Sequence, residues 1–191
     1  MKQLLILIFA LIFNSLSAQT IRFVDHNATG ASDGSSWANA YISLDAALTA
    51  SVPGQQIWVS AGTYKPATSF LVQTGVAIYG GFAGTETALN QRNPSLNLTT
   101  LSGDLLGNDI TGNFDMNRID NVQHIVTVFS NTSSAAAVVD GFIFRGGHTL
   151  VGTPNADLTR RGAGILVGAK ATMNPRMRAS SQRNVIGMIA R

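Results

Sequence analysis

The chain has 191 residues, of which 45% are hydrophobic and only 12% are charged, and it contains 19 glycines and no cysteine. About 25% charged residues is usual for a soluble domain, so this composition disfavours a coiled coil, an acidic disordered tail and a typical nucleic-acid-binding protein. The length suits one domain with a real hydrophobic core. The absence of cysteine excludes disulfides, thiolate metal sites and thiol nucleophiles.

The net charge of +3 combines segments of opposite sign. Residues 19–157 hold all ten acidic residues and five basic ones, whereas residues 158–191 hold seven basic residues and no acid. Such a tail can attract nucleic acid or anionic lipid. Because it lacks interleaved aromatic residues and a recognisable binding fold, we expect no nucleic-acid partner.

The N-terminal segment, residues 1–18, has the order of a secretory signal peptide. A positive start, Met1 to Gln3, precedes an unbroken apolar run from Leu4 to Phe13, and a small, polar stretch ends at Ala18. The run is too short to span a bilayer, which needs roughly 20 apolar residues. We therefore expect cleavage after Ala18 and no transmembrane helix in the mature chain. The expected location is secreted or at the cell surface or outer membrane, and an uncleaved anchor or a buried helix is the alternative.

Residues 19–53 are predicted to form an N-terminal cap. A short β-type run (20–25) precedes a loop rich in Gly, Ser, Asn and Asp (26–38). The next segment, YISLDAALTA, predicts an amphipathic helix over 41–50 that ends before Pro53. Its apolar face contains Leu44, Ala47 and Leu48.

Short β-rich runs recur from residue 54 to residue 170, each followed by Gly, Asn, Thr or Ser. They are QIWVS (56–60), VAIYG (76–80), TTLSG (99–103), HIVTVF (124–129), VVDGFIFRGG (138–147) and GAGILVGA (162–169). Their centres lie about 21 residues apart, a spacing typical of solenoids, whose units bury their apolar faces by stacking. Strands stacked about 4.8 Å apart would place like charges above one another, which accounts for the low charge. A β-sandwich is the alternative, although its strands usually recur every 8–12 residues or so.

These motifs together resemble a known family. The segments VDHNATGASDGSSWANAYISLDAAL (24–48), GQQIWVSAGTYKP (54–66), GVAIYGGFAGTET (75–87), TTLSGD (99–104), VVDGFIFRGG and RGAGILV (161–167) are similar to the N-terminal part of secreted, pectin-lyase-like proteins of Bacteroidota type. The resemblance implies an all-β, right-handed parallel β-helix with one short N-terminal capping helix. Candidates for its interior stacks are Ile57, Val59, Ile78, Ile125, Ile143 and Ile165.

The end of the chain departs from this family. Relatives continue through further coils, and many end in a sorting domain, whereas residues 171–191 show neither strand alternation nor turn chemistry. We expect an atypical basic tail, disordered or out of frame, so that the chain is the N-terminal portion of a longer solenoid. A genuine basic tail that docks on a partner is the alternative.

Four aspartates in the segment 103–120 are candidate calcium ligands. The resemblance includes polysaccharide lyases, whose chemistry needs acidic Ca²⁺ ligands and a basic residue close together. Arg118 lies among the aspartates, but their spacing does not match an EF-hand loop. Solvated turn residues, or a structural Ca²⁺ without catalysis, are the simpler interpretations. The four are Asp104, Asp109, Asp115 and Asp120.

Other candidate residues have both a functional and a structural interpretation. Trp37, Trp58 and Tyr64 are candidates for stacking on sugar rings, but aromatic residues in a cap more often serve packing. The three histidines have no metal-binding spacing, and no Gly-x-Ser-x-Gly elbow is present. The glycines of YGGFAG (79–84) predict a sharp turn, and Arg145 is expected to point out of its strand or to meet an anionic ligand.

The sequence supports two hypotheses of function. The first is a non-catalytic exported β-helix that acts as a recognition scaffold for polysaccharide or another cell-surface component. The second is the N-terminal fragment of a polysaccharide lyase or glycoside hydrolase. No catalytic constellation can be assigned, which favours the first hypothesis and predicts no cofactor beyond a structural Ca²⁺.

Overall fold

The structure, a computed structural model, describes residues 20–113, 116–129, 135–148, 164–167 and 171–173. These residues form eleven β-strands, one α-helix (α1, Leu44–Ala50) and a 3-10 helix (Leu89–Gln91). The strands are β1 Ile21–Val24, β2 Gln56–Ser60, β3 Gly62–Tyr64, β4 Phe70–Gln73, β5 Ala77–Phe82, β6 Thr99–Ser102, β7 Val126–Phe129, β8 Ala137–Asp140, β9 Phe142–Arg145, β10 Ile165–Val167 and β11 Ala171–Met173. The protein is therefore β-rich, as the sequence predicted.

The strands belong to three sheets in which every pairing is parallel. Sheet I has the order β1-β2-β5-β8-β11, sheet II the order β3-β6-β9, and sheet III the order β4-β7-β10. From β2 onward the chain visits sheets I, II and III in turn and then repeats that cycle. We call one such cycle a circuit.

The core is made by side chains that occupy matching positions in successive circuits. In sheet I, Ile57 is in register with Ile78, which is in register with Val139. All three are 2% exposed or less. Parallel register places these side chains on one face of the sheet, so each covers the one below it. The same arrangement gives Tyr64 above Leu101 in sheet II and Phe70 above Val126 in sheet III.

One predicted interior residue, Ile143, is not in the core. It is in register with Thr100, whereas its neighbour Phe142 is in register with Thr99 and is 1% exposed. Because side chains alternate between the faces of a strand, burying Phe142 turns Ile143 outward. Four of the other five candidates (Ile57, Val59, Ile78 and Ile125) are buried, and Ile165 is partly buried against the core.

Among the described strands, the predicted regular spacing between β-rich runs matches the step between only one pair of neighbouring strands, β2 and β5. The step from Ile57 to its partner Ile78 matches that spacing, but the step from Ile78 to its partner Val139 is almost three times as long. The six β-rich runs come from all three sheets, so their near-regular spacing mixes steps between sheets with steps between circuits. The circuit that begins at β5 is longer because residues 83–98 separate β5 from β6 and residues 103–125 separate β6 from β7.

Helix α1 has the predicted buried face but a later start. Ser43 is the N-cap, and its hydroxyl accepts from the N–H of Ala46 at 3.5 Å. Leu44, Ala47 and Leu48 are buried. The predicted start at Tyr41 is wrong, because Tyr41 forms an isolated parallel bridge with Val24 instead.

The outer edge of β1 is covered by the loop that precedes the helix. The N–H of Phe23 donates to the carbonyl of Gly34 at 3.1 Å, and the N–H of Tyr41 donates to the carbonyl of Phe23 at 2.9 Å. An uncovered edge would offer unpaired backbone groups to other chains. Residues 26–41 thus close this edge of sheet I.

The predicted signal peptide and most of the predicted tail lie outside the described residues. Residues 171–173 are the exception, since they form β11 and extend sheet I into the segment assigned to the tail. Among the described residues, no helix is long and apolar enough to cross a membrane.

Candidate functional site

Four aromatic rings form a cluster on the outer side of sheet I. Trp58 stacks on Phe82 at 4.7 Å with an interplanar angle of 12°, and Phe23 meets Trp58 edge-on at 5.8 Å. Trp37, from the loop before α1, lies 4.8 Å from Phe23 and 5.6 Å from Phe82. Trp58 is 2% exposed and Phe82 is fully buried. The cluster therefore fastens the N-terminal loop onto sheet I.

Tyr64 is buried in a polar chain rather than offered to a ligand. It is 4% exposed, and its hydroxyl lies 2.9 Å from the hydroxyl of Ser60 and 3.5 Å from Nδ1 of His26. Burial raises the pKa of Tyr64 to about 12. The ring of His26 lies edge-on to Tyr64 at 5.6 Å.

The sugar-stacking interpretation does not fit two of its three candidate residues. Trp58 and Tyr64 are buried, so neither has a free ring face for a sugar. Trp37 is half-buried, and its indole N–H donates to the carbonyl of Glu86 at 2.9 Å. The packing interpretation accounts for Trp58 and Tyr64.

Glu86 organises the turn that follows β5. Its carboxylate accepts from the backbone N–H groups of Ala83 (2.7 Å), Gly84 (3.0 Å) and Thr85 (3.0 Å). Burial raises the pKa of Glu86, but these backbone donors outweigh burial and hold its pKa below the usual value. Because Trp37 donates to the carbonyl of Glu86, this turn also anchors the N-terminal loop. Glu86, the only glutamate in the chain, was not among the residues predicted from the sequence.

The candidate calcium ligands do not converge on one point. The carboxylate of Asp104 accepts from three backbone N–H groups, those of residues 107, 108 and 109, at 2.6–3.2 Å. Asp109 forms a salt bridge with Arg118 at 3.5 Å and accepts from the amide of Asn121. Among the described residues, no group of three or more acidic, histidine or cysteine side chains is placed to hold a metal. Asp115 lies outside those residues.

Asp120 differs from the other two described aspartates of this loop. One of its oxygens, Oδ2, accepts from the N–H of Leu106 at 2.8 Å. The other, Oδ1, is buried without a hydrogen-bond partner, and so is Oδ1 of Asn121. Buried acceptors without donors are uncommon in native structures.

The outer face of sheet II carries a row of two threonines and one isoleucine. Thr63, Thr100 and Ile143 are in register on successive strands, and Thr63 is exposed. Two exposed cations flank the C-terminal ends of these strands, Lys65 after β3 and Arg145 at the end of β9. Arg145 points outward, as its alternation predicted. The period-two pattern of β3, β6 and β9 was a signal for this row, but the sequence did not reveal that these strands are neighbours.

The outer faces of the other two sheets are different in character. On sheet I, Arg92 forms a 2.5 Å salt bridge with Asp140 and lies 5.1 Å from the ring centre of Tyr79, so residues 83–98 cover that face. On sheet III, the row that contains Thr127 has leucines at both flanking positions, Leu71 and Leu166. The Arg92–Asp140 pair was not predicted from the sequence, because 48 residues separate its members.

Comparison with models of known protein families, with curated proteins and with solved structures finds no match to this chain.

Proposed function

We propose that the chain is a right-handed parallel β-helix that is exported and acts as a non-catalytic recognition scaffold for glycans. The cyclic order of sheets I, II and III, with strands in parallel register, is the observation that carries the fold proposal. Parallel crossover connections are right-handed in about 98% of cases, which supports the handedness. The core side chains at matching positions in successive circuits supply the stacking that such a solenoid requires.

Export is supported by the order of residues 1–18, a positive start, an apolar run and a small-residue cleavage region. The product is a mature chain that begins at Gln19 and is secreted or held at the cell surface. Mass spectrometry of the exported protein tests this part. A retained Met1, or a start far from Gln19, would contradict it.

The outer face of sheet II is the proposed ligand face. Its threonine hydroxyls and its flanking ammonium and guanidinium groups are hydrogen-bond donors for a polyhydroxylated ligand. The row is in register over three strands, which suits an extended polymer better than a small molecule. The aromatic cluster on sheet I is not part of this face, because Trp58 and Phe82 are buried.

A catalytic role has less support than a binding role. Lyase chemistry needs carboxylates and a base that are free to act together, whereas Asp109 and Arg118 are paired with each other. Incubation of the chain with pectin, alginate or a glycosaminoglycan tests the alternative, a fragment of a lyase or hydrolase. Absorbance from unsaturated uronate products would overturn the non-catalytic proposal.

A glycan array with two matched variants tests the binding face. Thr100→Arg places a bulky side chain in the outward row of sheet II, on the central strand β6. Thr127→Arg makes the same change on the central strand β7 of sheet III, and both threonines are half-buried in the native protein. We expect the native protein and Thr127→Arg to bind the same glycans and Thr100→Arg to lose at least tenfold in affinity. Equal binding by both variants would place the ligand elsewhere.

A further inference from the structure

Two oxygen atoms in the excursion between β6 and β7 are buried and accept no hydrogen bond. They are Oδ1 of Asp120 and Oδ1 of Asn121, on adjoining residues. Each belongs to a side chain whose other polar atom is well bonded. This leaves a pair of unsatisfied acceptors rather than a loosely placed side chain.

Both side chains cross the same boundary between two turns. Oδ2 of Asp120 accepts from the N–H of Leu106 at 2.8 Å, and Nδ2 of Asn121 donates to the carboxylate of Asp109 at 3.1 and 3.2 Å. The turn formed by residues 118–121 is thereby joined to the turn formed by residues 104–109. We call the boundary between these two turns the seam, and the unsatisfied oxygens belong to the two side chains that cross it.

The amide of Asn121 can have only one orientation at the seam. If its oxygen and nitrogen were exchanged, the oxygen would face the Asp109 carboxylate, and two acceptors would be in contact. The unsatisfied atom is therefore an oxygen. Asn121 is only 9% exposed, so bulk water does not satisfy it.

Electrostatics at the seam also favour a cation. Asp104 has three backbone donors, and Asp109 has the guanidinium of Arg118. Asp120 has one backbone donor, and within the described part of the chain no lysine or arginine forms a salt bridge with it. A partly buried carboxylate with so little compensation attracts a positive charge.

We propose that Oδ1 of Asp120 and Oδ1 of Asn121 are side-chain ligands of a calcium ion that bridges the seam. Calcium takes carboxylate, amide and carbonyl oxygens together with water, in flexible geometry. The two ligands are oxygens only, which disfavours zinc and other metals that prefer nitrogen or sulfur. The ion's role is to hold the long excursion in place. Of the three predicted aspartates that the structure describes, Asp120 alone is a proposed ligand, and Asn121 joins it.

Thermal unfolding of the full exported chain, first in EDTA and then in millimolar Ca²⁺, tests the site. At a Ca²⁺ concentration about 100 times the Kd, mass action raises Tm by about 5 °C or more. Asp120→Asn keeps an acceptor for the N–H of Leu106 but removes the charge, so we expect it to fold in EDTA and to lose the Ca²⁺ response. Asp33→Asn is the matched control, since the carboxylate of Asp33 caps an exposed turn through the N–H of Ser35. This control should keep the full response.

Hydrogen exchange of the native protein gives a second measurement that needs no variant. Ca²⁺ should slow the exchange of amides in residues 104–109 and 118–121 and leave the Glu86 turn unchanged. The proposal is overturned if Ca²⁺ changes neither Tm nor exchange, in which case a buried water satisfies the two oxygens. It is also overturned if Asp120→Asn responds as strongly as the native protein, since the ion would then bind elsewhere.

Discussion

The turn held by Glu86 provides a quantitative test of how the N-terminal cap is attached. Glu86→Gln keeps the size of the side chain but removes its charge and replaces one acceptor oxygen with a donor NH₂ group. The amide oxygen can serve at most two of the three backbone donors, which leaves at least one N–H without a partner. The turn and the Trp37 contact with the Glu86 carbonyl should both weaken.

The expected loss of stability follows from the three hydrogen bonds that the Glu86 carboxylate accepts. Hydrogen bonds to a charged group contribute about 1.5–3 kcal/mol each, and a buried donor without a partner costs about 1–3 kcal/mol. Since glutamine keeps part of the network, we expect the free energy of unfolding to fall by about 2–4 kcal/mol at pH 7. With a urea m-value of about 2 kcal/mol/M, the unfolding midpoint falls by about 1–2 M.

The pH dependence of the destabilisation distinguishes the loss of the Glu86 charge from a packing defect. The folded-state pKa of Glu86 is held below the usual value, so its stabilisation is fully present above the unfolded-state pKa, about 4.3 for glutamate. That stabilisation is lost as the pH falls through the lower, folded-state pKa. The difference between native protein and Glu86→Gln should therefore shrink as the pH falls below the unfolded-state pKa.

Urea unfolding followed by tryptophan fluorescence measures both quantities, because Trp37 and Trp58 lie beside this turn. Comparing the two proteins at each pH removes the effect of the other carboxylates. A difference below about 0.5 kcal/mol at pH 7 would refute the reasoning, because surface changes alone are of that size. An unchanged difference at low pH would refute the electrostatic cause.

Four further substitutions test the backbone geometry, packing and ion pairing around the sheets. Gly141→Ala should cost about 2–4 kcal/mol in urea unfolding, since φ is +83° and an added Cβ would lie 2.5 Å from a carbonyl oxygen of β5. Gly112→Ala, at the same φ but with no atom within 4 Å, should cost only about 1–2 kcal/mol, and equal losses would contradict the steric argument. Trp58→Ala should lose about 3–5 kcal/mol and most of the near-UV circular dichroism, and a loss below about 1 kcal/mol would mean that the ring is not buried. Asp140→Asn should destabilise by about 1–3 kcal/mol because it leaves the Arg92 guanidinium, 16% exposed, without its carboxylate, and an unchanged Tm would show that the pair contributes nothing.

Local chemistry accounts for the elements that the sequence determined alone. The apolar face of α1 follows from the spacing of its residues. The buried positions of β2 and β5 follow from short runs of apolar residues between turn-forming residues. These patterns need no knowledge of distant contacts, so they could be read in order along the chain.

Tertiary structure alone decided which strands are neighbours and which side chains meet. The free-energy cost of closing a loop grows only slowly with the length of the loop. A circuit of few residues and a much longer circuit can therefore stack in one sheet, and no constant spacing is required. For the same reason the sequence did not predict that Arg92 pairs with Asp140. Nor did it predict that Asp109 contacts both Arg118 and Asn121. The sequence determined the composition of each strand face, including its low charge. The fold decided that Trp58 and Tyr64 are packing residues and that the row on sheet II faces outward.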